Sequence, residues 1–248
     1  MFKKKIIFIF LFSLSSCAYQ TKGSREYQVG AYLWQQTSGE YQALCYQAYN
    51  LARLKLDRDL ENKHNKKRAL IFDIDETVLD NSFSGAFDVK NNIPWKQNSF
   101  DEWVTRKKAH AIAGAKEFIE YAEENRVQVF YVSDRTVEQV NDTLENFKRL
   151  NIPAKKENLY FMTAGMDKEK RRKEIQKNYE VVLLLGDNLH DFDKAWDNKS
   201  SIDRKKIVDE RRQEFGDKFI ILPNPLYGDW ENALPKNLDR KENLIINP

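Results

Sequence analysis

Five short apolar segments, separated by stretches with helical periodicity, constrain most strongly what this chain can fold into. Apolar residues recur at helical spacing between them, as in the runs that begin at Ala115 and at Val137. Strands that alternate with helices of about a dozen residues are typical of a parallel sheet covered on both faces. We therefore predict an α/β fold, with one or two further helices over residues 28–62. The five segments are ALIFDID (69–75), VQVFYVSD (127–134), NLYFMT (158–163), VVLLLGD (181–187) and FIILPN (219–224).

Polar residues stand at the carboxyl ends of three of these predicted strands. Asp73 and Asp75 close the first strand, the sequence SDR (133–135) closes the second, and Asp187 closes the fourth. The carboxyl edge of an open α/β sheet is where ligands bind. Carboxylates packed this closely repel one another and resist burial, so the site needs a compensating cation.

The pair Asp73 and Asp75 has the residue types needed for phosphoryl transfer. On an extended segment, side chains two positions apart share a face. An aspartate can attack phosphorus without an activating base, because it is ionised at any pH well above ~4. The second carboxylate could protonate the leaving oxygen and later deprotonate water, and Mg²⁺ prefers such oxygen ligands.

Two further segments extend this pattern beyond a bare D-x-D. GDNLHDF (186–192) follows the fourth strand, and MDKEKRR (166–172) supplies cations before or within a helix. Such a charge run is usually a solvated helix face, but here we expect one lysine to point inward. A sugar-nucleotide transferase also uses D-x-D, yet that reading leaves SDR and GDNLHDF unexplained.

Taken in order, these segments resemble the haloacid dehalogenase (HAD) superfamily. The closest resemblance is to its class C acid phosphatases, bacterial lipoproteins built around four aspartates. The similarity is carried by IFDIDETVLDNS (71–82) and VLLLGDNLHDF (182–192), and it extends to residues 33–52 and 221–231. It implies a HAD-like parallel sheet with flanking helices and a small helical cap, which we expect over residues 80–110.

The resemblance also implies a reaction: Mg²⁺-dependent hydrolysis of phosphomonoesters through an aspartyl-phosphate intermediate. The expected substrates are nucleoside monophosphates, including nicotinamide mononucleotide, together with aryl phosphates. Two catalytic residues are implied: Asp73 as nucleophile and metal ligand, and Asp75 as general acid/base with its backbone carbonyl on the metal. Asp187 is implied as the remaining metal ligand, and Asp191 as a residue that lies behind the metal. Substrate contacts are implied for Ser133 with the phosphoryl group, for Lys168 (rather than Lys170) between the phosphoryl group and the nucleophile, and for Tyr227 against a nucleobase.

Two positions depart from the family pattern. Ser84 stands where the family usually has an aromatic residue, and we expect Phe83 or Phe87 to serve instead. His190 stands where an acid is common; a lone histidine at a helix start is more often a surface residue, and we assign it no role. Trp95 is a third aromatic residue near the site. Glu76 and Asp80 are interpreted as residues that cap and orient the turn.

A second functional hypothesis is a non-catalytic lipoprotein that uses the same fold for ligand binding or storage. Loss of the nucleophile would be the simplest route to inactivity. Asp73, Asp75, Lys168 and Asp187 are all present, which favours catalysis over binding alone.

The first 27 residues are interpreted as a targeting segment. Three lysines precede a short apolar run, typical of a signal peptide over residues 1–16 rather than of a short anchor or buried helix. LSSC resembles a lipobox, so Cys17 is the expected lipidation site, with a tether over 17–27 and the phosphatase domain over 28–248. Ala18 after the cysteine favours the outer membrane.

Charge and cysteine content limit the partners. Without residues 1–16, which hold three lysines and no acid, 38 basic and 38 acidic side chains remain. No basic surplus is left to attract nucleic acid, and the expected membrane contact is through acyl chains on Cys17. Cys45 lies at helical spacing among apolar residues, and we expect it in the core. The sequence leaves a homodimer open.

Overall fold

The computed structural model describes residues 25–235 and 241–244. The predicted signal peptide, Cys17 and most of the predicted tether therefore lie outside the described residues. Within the described part, no helix is both long and apolar enough to cross a membrane. The helices are α1 Val29–Thr37, α2 Gly39–Leu60, α3 Ser82–Lys90, α4 Gln97–Arg106, α5 Ala115–Glu124, α6 Val140–Leu150, α7 Lys168–Asn178, α8 Ser201–Glu210 and α9 Asp229–Asn232. The strands are β1 Lys67–Phe72, β2 Leu79–Asp80, β3 His110–Ala111, β4 Gln128–Thr136, β5 Leu159–Met162, β6 Tyr179–Gly186 and β7 Phe219–Ile221.

Five strands form one parallel sheet in the order β5-β4-β1-β6-β7. Each of them overlaps one of the five predicted segments, so the predicted α/β parallel-sheet fold is confirmed. The chain runs outward from β1 through β4 to β5, and then crosses back to β6 and β7. The direction of strand order thus reverses at β1, and a crevice opens there at the carboxyl ends of β4, β1 and β6.

Both faces of the sheet are buried, which explains why the strand sequences are almost continuously apolar. Successive side chains of a strand point to opposite faces. Leu70 and Phe72 pack on one face with Cys45 of α2 and with residues of α5 and α6. Ala69 and Ile71 pack on the other face against α7 and the segment that follows β6. Cys45 is fully buried, as predicted.

Helices α3 and α4 lie between β2 and β3, which pair as a short antiparallel ribbon. This unit falls within the segment 80–110 that the resemblance implies as a cap. Gly85 lets α3 approach α1 closely, since a Cβ there would lie 1.9 Å from the Tyr32 hydroxyl. Tyr32, Val89 and Leu226 then form a small separate core, which joins α1, α3 and the loop after β7.

Candidate active site

Three aspartates meet where β1 and β6 end. Asp73 follows β1, and Asp187 and Asp191 follow β6; a carboxylate oxygen from each lies within 4.8 Å of the other two. Gly186 makes this possible, because a Cβ at that position would lie 2.4 Å from the Cβ of Asp191. Asp191 is fixed in place by the backbone N–H of Asn188, which donates to its Oδ2 at 2.9 Å.

Lys168, the first residue of α7, inserts its ammonium group among these aspartates. Its Nζ donates to Asp73 Oδ1 at 2.7 Å and to Asp191 Oδ1 at 2.6 Å, and the residue is 8% exposed. Asp167 caps the helix by accepting from the backbone N–H of Lys170. Lys170 itself is exposed, and its side chain donates to the carbonyl of Gly165.

Two arginines of the same helix hold the loops around the site. Arg171 donates to the carbonyl of Ser133 and to Asp134 Oδ1, and Arg172 donates to the carbonyls of His190 and Asp191. We expected one inward lysine in an otherwise solvated charge run, whereas the structure buries three cations. The sequence contained a signal for this. Positions 168, 171, 172 and 175 share one helix face, and Ile175 is a buried apolar residue.

The electrostatics of the cluster favour a bound cation. Burial raises the pKa of Asp73 well above its usual value; Lys168 opposes this, and the neighbouring Asp191 and Asp187 add to it. Burial and Asp191 likewise raise the pKa of Asp187 to about 7, although Asn224 and Thr77 donate hydrogen bonds to it. Three crowded carboxylates offer the oxygen ligands that Mg²⁺ prefers, so this donor set fits a divalent cation.

Asp75 is oriented by Arg135 rather than by the aspartate cluster. Arg135 Nη2 donates to Asp75 Oδ1 at 2.8 Å, and Nε lies 3.1 and 3.2 Å from the two carboxylate oxygens. The arginine side chain is only 2% exposed, and its Nη1 donates to Thr143 at 2.8 Å. On the other side, Asn81 Nδ2 donates to Asp75 Oδ1 at 2.8 Å. Asp75 is therefore held by two donors that are themselves fixed.

A cavity of about 580 Å³ opens above these groups. Its aromatic lining comes from Tyr27, Tyr32, Trp95, Phe100 and Tyr227, and Ser84 lines the same cavity. Phe83 and Phe87 do not belong to this lining. Phe83 packs on His110 with ring centroids 4.8 Å apart, so the expectation that these two residues replace the family's aromatic residue is wrong.

The comparison with known families agrees with this geometry. A model of the HAD superfamily, subfamily IIIB (acid phosphatase), matches residues 17–230. The chain belongs to this acid phosphatase family. It is 40% identical to the class C acid phosphatase of Bacillus anthracis, with a TM-score of 0.82 over 88% of this chain and 93% of that one. A structure of the Bacillus anthracis class C enzyme with tungstate bound matches at 40% identity, a TM-score of 0.83 and the same coverage.

Six of the seven residues implied for the site line one cavity. Ser133 is the exception: it is fully buried beneath the lining, where its hydroxyl accepts from the backbone N–H of Arg135, and Asp134 faces the cavity instead. The six are Asp73, Asp75, Lys168, Asp187, Asp191 and Tyr227.

His190, which we expected at the surface without a role, lines the cavity of the acid phosphatase. Its Nδ1 lies 2.7 Å from Asp229 Oδ2, and its Nε2 lies 3.2 Å from Asp134 Oδ2. Burial lowers its pKa, but Asp191, Asp134 and Asp229 outweigh burial and raise it to about 10. The histidine thus joins Asp134 of β4 to Asp229 at the start of α9 as a cation. Nothing in its sequence neighbourhood indicates these two distant partners.

Glu76 lies in the turn after β1, as the sequence indicated, whereas Asp80 is the second residue of β2. Glu76 has a φ of 56°, is fully buried, and accepts from the backbone N–H of Asn81 and from the hydroxyl of Tyr227. Asp80 accepts from the backbone N–H of Ser82 at the start of α3. Glu76 therefore connects the turn after β1 to a residue of the cavity wall.

Proposed function

We propose that this acid phosphatase hydrolyses phosphomonoesters through an aspartyl-phosphate on Asp73. The observation that carries the proposal is the carboxylate of Asp73 at the cavity floor, hydrogen-bonded to the buried ammonium of Lys168. An oxygen of Asp73 attacks phosphorus and the bond to the ester oxygen breaks. Asp75 gives that oxygen a proton, and the alcohol leaves. Asp75 then takes a proton from water, the water oxygen attacks phosphorus, and the acyl-phosphate bond breaks to release phosphate.

The surrounding residues of the chain position these groups. Lys168 lies between Asp73 and Asp191, where its charge would stabilise the phosphoryl oxygens as they gain negative charge. The end of β4, which carries Ser133, would hold the same oxygens from that side. Arg135 keeps Asp75 directed by a fork of donors, which favours proton transfer along one path.

Mg²⁺ is the cation that we assign to the aspartate cluster. Asp73, Asp187 and the backbone carbonyl of Asp75 would hold it, and Asp191 would support that shell from behind. When bound, it would neutralise the carboxylates and the phosphoryl oxygens together. The oxygen-only donor set supports this assignment.

Nucleoside monophosphates are the substrates that the cavity favours. The rings of Tyr227 and Trp95 line the opening above Asp73, and flat aromatic side chains suit a flat leaving group. Aryl phosphates should react for the same reason. The tungstate in the Bacillus anthracis enzyme is a tetrahedral oxyanion, as phosphate is, and this supports an oxyanion site in the family.

The test is turnover of an aryl phosphate and of nucleoside monophosphates by the full chain. Each would be measured with Mg²⁺, with a chelator, and with Asp73→Asn. We expect turnover that the chelator abolishes and that Asp73→Asn lacks. Asp217→Asn is the matched control, because Asp217 is an exposed aspartate that pairs with Lys55. A folded wild-type chain without turnover on any ester would favour the alternative, a ligand-binding or storage lipoprotein.

We further propose that the protein is lipidated on Cys17 after removal of residues 1–16 and is anchored in the outer membrane. The signal-like opening and LSSC support this. Incorporation of labelled fatty acid should be lost in Cys17→Ala, and the protein should then leave the membrane fraction. Light scattering of the purified chain would decide between a monomer and a homodimer.

A further inference from the structure

A second polar cluster lines the same cavity, on the wall formed by the start of α1 and by α3. It contains Arg25 and Asp88, whose side chains are only 11% and 10% exposed. Arg25 Nε donates to Gln28 Oε1 at 2.7 Å, and Nη2 donates to the Tyr32 hydroxyl at 2.9 Å. Two of the three nitrogens of the guanidinium group are therefore fixed by neighbours.

The third nitrogen of Arg25 is left over. Nη1 is buried and has no hydrogen-bond partner among the residues that the structure describes. The nearest carboxylate oxygen, Asp88 Oδ2, lies 3.6 Å away, which is an ion-pair distance but too long for a hydrogen bond. Buried donors without a partner are rare because they are costly, and each one calls for an explanation. Arg25 is one of the residues that line the cavity, so a ligand atom is the natural partner of this donor.

The cluster is held rigidly. Gln28 Nε2 donates to the carbonyl of Leu226 at 2.6 Å, which ties the start of α1 to the loop that carries Tyr227. The missing Cβ of Gly85 brings α3, and with it Asp88, against Tyr32. A preformed donor and a preformed acceptor 3.6 Å apart can bind a group that presents an acceptor next to a donor.

We propose that Arg25 and Asp88 recognise the leaving group of the phosphomonoester, through a carbonyl oxygen bound by Arg25 Nη1 and an adjacent N–H bound by Asp88 Oδ2. This rests on the proposed function, since it requires the phosphate at Asp73. The substrate class is that of monoesters whose planar leaving group has a lactam edge, as uracil and hypoxanthine do. The aromatic rings of the cavity favour such a heterocycle over a simple sugar.

The test compares uridine 5′-monophosphate with its N3-methylated form, which lacks the N–H. The full wild-type chain should hydrolyse uridine 5′-monophosphate with a kcat/KM at least about tenfold higher, because a site built to hydrogen-bond discriminates against ligands that cannot. In Arg25→Gln and in Asp88→Asn, the ratio of the kcat/KM values for the two nucleotides should fall towards one. Lys55→Gln, in an ion pair on the surface, is the matched control and should keep the wild-type ratio.

The outcomes separate this proposal from the proposed function. If phenyl phosphate is hydrolysed but the two nucleotides react equally, the recognition pair is refuted and the phosphatase stands. If Arg25→Gln instead leaves the ratio of the two nucleotides unchanged and lowers the hydrolysis of ribose 5-phosphate most, the pair binds a hydroxyl group. That result would overturn the proposal. If no ester is hydrolysed, calorimetric binding of uridine and 3-methyluridine to wild type and Arg25→Gln still tests the pair. Arg25→Lys, which keeps the charge, shows whether any loss reflects misfolding.

Discussion

Arg135→Met should slow this acid phosphatase most on esters with poor leaving groups. The substitution keeps a long buried side chain but removes the three contacts that Arg135 makes to Asp75, at 2.8, 3.1 and 3.2 Å in the wild type. The Asn81 amide, 2.8 Å from Asp75 Oδ1, would remain. Asp75 would then stay near the site without a fixed direction for proton transfer.

The size of the effect follows from what proton transfer contributes. A positioned acid or base accelerates a reaction by roughly 10²–10⁴-fold. Because Asn81 still holds one oxygen of Asp75, we expect the lower end for an alkyl phosphate, about 10²-fold or about 2.7 kcal/mol. An aryl oxygen leaves with little help from a proton, so an aryl phosphate should lose less than about tenfold. Breaking this ion pair should also cost about 3 kcal/mol of unfolding free energy, since Arg135 is buried.

The assay is kcat/KM for a series of phosphate esters that runs from alkyl to nitrophenyl leaving groups. Thr143→Val provides the control, because it removes the acceptor of Arg135 Nη1 and leaves the contacts to Asp75. It should lower the urea-unfolding free energy by about 1–3 kcal/mol without changing the dependence on the leaving group. An equal loss for every ester in Arg135→Met would refute the reasoning.

Three further predictions concern the frame of the site. Gly186→Ala should lose at least about 1–3 kcal/mol of unfolding free energy, since the new Cβ would overlap Asp191. Gly30→Ala is the control and should lose none, because Gly30 faces open space on α1. Equal urea midpoints for the two variants would contradict this prediction. Lys168→Met should cost about 3–5 kcal/mol at pH 7, because two buried carboxylates lose their cation. The loss should shrink at pH 4, because burial raises the pKa of Asp73 and a proton on Asp73 can replace the cation there, and a loss that does not change with pH would exclude this account. The pKa of His190 is about 10 in the folded chain and 6.5 in the unfolded chain. The charged histidine therefore adds its full contribution to the free energy of unfolding below pH 6.5, and this contribution is lost as the pH rises to 10. The difference in unfolding free energy between wild type and His190→Gln should therefore narrow from pH 6 to pH 10, and a constant difference would count against the charged histidine.

The strands were predictable because burial on both faces leaves a continuous apolar run in the sequence. The residues at which the strands end were less predictable. The first predicted strand continues to residue 75, but β1 ends at Phe72, and Asp73 makes one last backbone hydrogen bond, to the carbonyl of Leu185. The ribbon of β2 and β3 has two residues a strand, which is too short for any alternation to show.

The aspartates of the site were predictable for a different reason. Parallel strands all end at one edge, so acids that follow β1 and β6 must lie close together whatever the details of packing. The side chains that contact these aspartates from elsewhere in the chain could not be predicted in this way. The sequence places Arg135 at the end of the second predicted strand but gives no sign that it binds Asp75. The contacts of His190 with Asp134 and Asp229 likewise form only in the folded chain.

The rotation of α7 about its own axis decides whether the site exists at all. Lys168 reaches the end of β1, while Arg171 binds the last residues of β4 and Arg172 binds the loop after β6. Each residue of an α-helix advances the side chain by about 100°. One residue inserted between Lys168 and Arg171 would swing the ammonium away from Asp73 even if both arginines stayed bound. Changes of length in this chain should therefore be tolerated before the helix cap at Asp167 or after Ile175, and not in the roughly two turns between them.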